Sequence, residues 1–122
     1  MTKEIILTDK SPASIGPYSQ AVMANGTLYI SGQIALSVAA TGDVATETKA
    51  VMENIGHILE AAGLTFAHVV KCGIFLKNMD DFTTVNEVYG TFFDKQPPAR
   101  ETVQVARLPK DVNVEISAIA VA

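Results

Sequence analysis

One cysteine, Cys72, is all this chain has. No disulfide can close within it, and a reducing cytoplasm is the expected setting. No apolar run approaches the roughly 18 residues of a membrane span. The first residues, Met-Thr-Lys-Glu-Ile-Ile-Leu-Thr, lack the apolar core of a signal peptide. Positive charge is sparse and scattered, with 9 Lys and Arg against 13 Asp and Glu and a formal net charge of −4. Nucleic-acid binding usually leaves a basic stripe. None is present, so the charge balance argues against RNA or DNA as a partner. The two histidines, His57 and His68, stand isolated, with no cysteines or spaced acids to complete a metal site. No glycine-rich phosphate loop follows a strand. No Gly-x-Ser-x-Gly elbow surrounds a serine, and Ser31 has no evident His–Asp partner. Neither a metal nor a cofactor is expected.

What the chain does have is apolar surface. Hydrophobic residues make up 48% of the 122 positions, and the mean hydropathy is +0.26. Both values are high for a small domain with no membrane segment. Residues 1–122 read as one domain that hides surplus apolar surface against other subunits.

Periodicity places the elements. Residues 3–7 form a short strand, and Pro12, Gly16 and Pro17 mark a loop. Residues 18–24 and 27–33 are two strands joined by Asn25-Gly26, whose central positions favour the tight turn of a hairpin. Residues 35–43 read as a loop. Over 46–62, Val51, Ile55, Ile58, Leu59 and Ala62 recur at helical spacing, with Thr46 as the expected cap and Gly63 as the stop. A strand over 68–77 follows, then a helix over 81–93 striped by Phe82, Val85, Tyr89 and Phe92 or Phe93, which Pro97 and Pro98 end. Two strands, 101–106 and 112–121, close the chain. The order β-β-β-α-β-α-β-β predicts an α+β fold, a single mixed sheet with two helices packed on one face. On the last strand, Val112, Val114, Ile116, Ala118 and Ala120 suit the covered face. Glu115 falls on the other, with Lys71, Gly73 and Phe75.

Arg100 follows a Pro-Pro-Ala run, and Glu115 lies in the final strand. Those strands are expected to pair antiparallel across the Leu108-Pro109 turn, which makes a guanidinium and a carboxylate neighbours. The first can grip a small organic acid by a two-pronged fork. The second can position or deprotonate a water. On spacing alone each reads slightly better as a surface residue, and the pair is what draws attention. Tyr18 reads as a packing aromatic or as an amphipathic lid over a ligand. Gly32, inside a strand with Ser31, signals a bulge or a close backbone approach. Cys72 reads as a small hydrophobe under the helices, alternating with Val70, Ile74 and Leu76. Asn86 reads as an exposed helix residue.

The segments Ile15-Gly16-Pro17-Tyr18-Ser19-Gln20, Tyr29-Ile30-Ser31-Gly32-Gln33, Val85-Asn86 with Tyr89, Pro98-Ala99-Arg100, Val105-Ala106-Arg107-Leu108-Pro109-Lys110-Asp111 and Val114-Glu115-Ile116 stand in this order along the chain. Together they resemble the RidA, or YjgF, family. The resemblance spans essentially the whole chain. It implies a chorismate-mutase-like fold and a homotrimer with sites in the clefts between subunits. It implies deamination of reactive 2-enamines and their imine tautomers (2-aminoacrylate and 2-aminocrotonate) to 2-oxo acids and ammonia. Dehydratases acting on serine and threonine release these intermediates, which ties the activity to threonine and isoleucine metabolism and to the control of metabolite damage. Carried over by position, Arg100 holds the substrate carboxylate and Glu115 the attacking water, while Tyr18, Ser31, Gly32, Asn86 and Thr102 line the pocket. Thr102 stands where many active members have cysteine, so no thiol-dependent step is expected. Ser117 replaces a second acid found in some members, which leaves Glu115 easier to ionise. The competing readings are a small-carboxylate sensor without turnover, and the ribonuclease or translation-inhibitor activity attributed to some relatives.

Overall fold

The computed structural model describes residues 2–122, so of the expected domain only Met1 lies outside the described residues. One six-stranded sheet is backed by two long helices. The strands are β1 (Lys3–Ile6), β2 (Ala21–Ala24), β3 (Thr27–Gln33), β4 (Val69–Leu76), β5 (Ala99–Gln104) and β6 (Val114–Val121). The helices are a single turn α1 (Leu36–Ala39), then α2 (Val44–Ala61) and α3 (Phe82–Gly90). The α+β expectation holds, with α1 added inside the segment read as loop. No helix among the described residues is long and apolar enough to cross a membrane.

Local chemistry accounts for the boundaries. Asn25 and Gly26 both adopt left-handed φ, 51° and 76°, and turn β2 into β3. Asp43, rather than Thr46, caps α2. Its carboxylate accepts from the backbone N–H groups of Ala45 and Thr46 and from the Thr46 hydroxyl at 2.7 Å. An acid at that position satisfies free helix donors and complements the helix dipole. Gly63, at φ 76°, stops the helix as expected. Strand β2 begins at Ala21, so Tyr18 belongs to the loop before it.

The main correction concerns the last two strands. The sheet order is β1-β2-β3-β6-β4-β5, so β4 lies between β5 and β6 and they do not pair. Strand β5 runs parallel to β4 as an edge strand, while β6 runs antiparallel to both β3 and β4. The physical reason is the crossover: residues 77–98, carrying α3, bring the chain back over the sheet to a parallel neighbour. Residues 105–113 then form a long connection that buries Leu108 and Val112, instead of a tight hairpin.

The core lies between sheet and helices. Val51, Met52, Ile55, Ile58 and Leu59 of α2 pack on Ile74 and Leu76 of β4 and on Val114, Ile116, Ala118 and Ala120 of β6, all essentially buried. Each such Leu, Ile or Val contributes roughly 1.5–3 kcal/mol through burial. The alternation read for β6 is therefore correct. Val70 is not: a register shift between Val69 and Lys71 turns it outward, 48% exposed, while Cys72 stays buried. One carboxylate sits inside this core. Glu47 is 0% exposed and accepts from the backbone N–H groups of Asn113 (2.9 Å) and Val114 (3.1 Å) and from the Asn113 amide (2.7 Å). Three donors compensate its burial and bolt the start of α2 to the start of β6, just ahead of Glu115.

Candidate active site

The expected site residues form two clusters on opposite faces of the sheet. The first surrounds Glu115. This residue stands opposite Phe75 on the face away from the helices, in a recess of about 470 Å³ with Tyr18, Ser31, Gly32 and Pro109 in its lining. Gly32 is what lets the carboxylate lie there. A Cβ at that position would come within 2.7 Å of the Glu115 carboxyl carbon and 3.0 Å of its Cγ. The pairing of β3 with β6 shifts register between Ile30 and Gln33, so the strand is irregular at this point. The group that comes close to Gly32 is thus the Glu115 side chain, at an irregular point of β3. Burial pushes the Glu115 carboxyl above its ordinary value, and no neighbouring charge offsets it within the chain.

A buried amide holds the loop over this recess. Gln20 donates through Nε2 to the carbonyls of Thr8 (3.1 Å) and Pro12 (2.8 Å) and accepts from the Thr8 N–H (2.8 Å). The Ser31 hydroxyl donates to the Ser19 carbonyl at 2.6 Å, and the Ser31 N–H donates to the Gln20 carbonyl at 2.9 Å. Ser31 thus lines the recess with its hydroxyl already committed to the loop that carries Tyr18. Gly16, at φ 114°, gives that loop its turn. Tyr18 itself is half exposed at the mouth.

The second cluster surrounds Arg100. In β5, Arg100 stands opposite Cys72 and Thr102 opposite Ile74, so both lie on the helix-covered face, at its open edge. The guanidinium reaches α3. Its carbon lies 5.6 Å from the Phe82 ring centre and 5.2 Å from that of Tyr89, and Nη1 donates to Asn86 Oδ1. The Thr102 hydroxyl is buried beside it without a hydrogen-bond partner. Burial raises the pKa of the Cys72 thiol, more than the Tyr89 hydroxyl and the Arg100 charge lower it. Such a thiol packs and does not react. Burial also raises Tyr89 well above the ordinary phenol range, with Cys72 adding to it.

One chain therefore does not bring Arg100 and Glu115 together. The expectation of a guanidinium and carboxylate on adjacent strands fails because β4 separates β5 from β6 and the two side chains lie on opposite faces of the sheet. Tyr18, Ser31, Gly32 and Glu115 share one cluster; Asn86, Arg100 and Thr102 share the other. The sheet face beside Glu115 stays open and largely apolar, with Tyr29, Val103 and Val121 exposed on it. Sequence reasoning assigns Phe82 and Tyr89 only to an apolar stripe. Their spacing with Asn86, at i, i+7 and i+4 of one helix, is the available sign that they share a face. Glu47 carries no local signal, since its partners lie more than sixty residues away.

Comparison with known proteins matches residues 8–122 to the family model described as Endoribonuclease L-PSP. A 2-iminobutanoate/2-iminopropanoate deaminase of Bos taurus is 50% identical over 125 residues, covering 99% of this chain and 91% of that one. Among solved structures, Escherichia coli TdcF with bound serine superposes with a TM-score of 0.90 at 44% identity over 98% of each chain. The Rid-family protein YyfA of Yersinia pestis gives a TM-score of 0.92 at 42% identity, over 99% of this chain and all of that one.

Proposed function

Because this chain belongs to the Endoribonuclease L-PSP family, the RidA/YjgF family its motifs resemble, we propose that it deaminates 2-imino acids. The substrates are 2-iminobutanoate and 2-iminopropanoate with their enamine tautomers, and the products are the 2-oxo acids and ammonia. Each site forms in a cleft of a homotrimer, with Glu115 from one copy facing Arg100 from the next. The observation that carries this reading is Glu115: a half-buried carboxylate, raised by burial alone and held against Gly32 at the floor of an open recess. A base placed like that is suited to taking a proton from water. The separation of the two clusters and the open apolar sheet face support completion by a second copy.

The chemistry needs little machinery. Arg100 forms two parallel hydrogen bonds to the substrate carboxylate and so fixes the C=N carbon. Ionised Glu115 accepts a proton from water as the water oxygen attacks that carbon. Protonated Glu115 returns its proton to the substrate nitrogen, giving the neutral carbinolamine. The carboxylate then takes the carbinolamine hydroxyl proton and delivers it to nitrogen as the C–N bond breaks, so ammonia leaves, the C=O forms and Glu115 ends ionised. General-base help of this kind contributes roughly 10²–10⁴-fold, and no thiol takes part, consistent with Thr102 on β5. The family description also names RNA cleavage, but the chain's net charge of −4 favours a small anion held by one arginine over a polyanion.

The test couples a threonine dehydratase to this protein and follows 2-oxobutanoate release. Arg100→Ala and Glu115→Ala should each lose activity while remaining trimeric by light scattering. Co-expressed, they should recover about a quarter of wild-type activity, since each mixed trimer then holds one intact site of three. Full activity in either variant alone removes that residue from the reaction. Two inactive variants that stay inactive when co-expressed refute the shared site.

A further inference from the structure

Arg100 has a weakness as a clamp. It projects from an edge strand, is exposed, and has a long flexible side chain, so unaided it would sample many rotamers. The structure supplies the aid from α3. Phe82, Asn86 and Tyr89 stand at i, i+4 and i+7 and meet the guanidinium together. Both rings lie within about 6 Å, the range of cation–π attraction. Tyr89 is itself fixed: it is 4% exposed and packs on Phe93 at 4.9 Å, which meets Phe66 edge-on at 5.6 Å.

We propose that Phe82, Asn86 and Tyr89 are positioning residues that aim Arg100, and that Asn86 acts through Arg100 and not on the substrate. The inference rests on Arg100 gripping the carboxylate, as argued above. The geometry divides the guanidinium's surface usefully. Aromatic contact stabilises the cation without using its in-plane N–H donors. Asn86 Oδ1 takes a hydrogen bond at Nη1, and the other donors remain for a two-pronged grip. A neutral acceptor holds the group without cancelling its charge, which an aspartate at that position would do.

Binding of 2-oxobutanoate to the whole protein, measured by calorimetry, tests this alongside kcat and KM in the dehydratase-coupled assay. Asn86 is exposed on a helix, where alanine has the higher propensity, so Asn86→Ala should fold as well as the parent. Its dissociation constant and KM should rise about tenfold with little change in kcat, the size expected for a hydrogen bond to a charged group. In an Arg100→Lys background the same substitution should have no further effect. Phe82→Leu should bind more weakly, because the ring face is lost. Equal losses from Asn86→Ala in the parent and in the Arg100→Lys background would place Asn86 on the substrate and overturn the proposal. Wild-type affinity in both Asn86→Ala and Phe82→Leu would overturn it too. Wild-type affinity in Arg100→Ala would instead remove the clamp itself.

Discussion

Replacing Gly32 by alanine should separate stability from activity in one step. Gly32 does not adopt left-handed φ, so its backbone accepts a side chain. The added Cβ would sit 2.7 Å from the Glu115 carboxyl carbon, well inside contact distance, and Glu115 must swing away. That motion is cheap, because the colliding atoms are the far end of a flexible side chain; an off-rotamer χ costs about 0.5–1.5 kcal/mol. Against this, losing a glycine from the unfolded chain favours folding by about 0.4–1 kcal/mol. The two nearly cancel, so the unfolding midpoint should move by no more than about 4 °C. Catalysis has no such compensation. With the carboxylate displaced, the general-base contribution of roughly 10²–10⁴-fold is lost, or about 3–5 kcal/mol of barrier. The assay is 2-oxobutanoate release in the dehydratase-coupled reaction, with thermal unfolding measured on the same preparation. A variant with unchanged stability and wild-type kcat/KM would refute the link between the Gly32 gap and the working position of Glu115.

Further outcomes follow from two carboxylates, Glu47 in the core and half-buried Glu115. Glu47→Ala should cost about 3–5 kcal/mol by urea unfolding, because it strands three donors inside the core; Glu47→Gln should cost much less, as the Asn113 amide can turn to meet it, and a loss below about 1 kcal/mol in the alanine variant would contradict the bolt. Burial raises Glu115 above its ordinary 4.5, so the folded state keeps that proton to higher pH than the unfolded chain does. Its contribution to stability is then full below the unfolded value and lost as pH rises through the folded one. Glu115→Gln should accordingly gain stability over the parent at pH 7 compared with pH 4, and an equal gap at the two pH values would count against it. The same shift should put the acid limb of kcat/KM above the usual carboxylate range.

Much of the fold is legible in the sequence because its signals are local. The helical spacing of Val51, Ile55, Ile58 and Leu59, the Asn25-Gly26 turn, the Gly63 stop and the alternation of Val114, Ile116, Ala118 and Ala120 all depend on neighbours a few residues away. The cap of α2 is not legible, because Asp43 and Thr46 both satisfy the composition rule and only the backbone geometry distinguishes them. The outward turn of Val70 is hidden for a different reason. A register shift reverses the face of a residue and leaves no mark in composition.

The residues themselves, Arg100, Glu115, Gly32 and the motifs around them, were determined by the sequence, since side-chain chemistry and family likeness travel with the chain. Which of them meet was decided only in three dimensions. Strand order is set by how α3 carries the chain across the sheet and by which apolar faces can be buried together, and both are long-range. That choice inserted β4 between Arg100 and Glu115, turned them to opposite faces, set Arg100 against α3, and left the Glu115 cluster open beside an uncovered apolar sheet face.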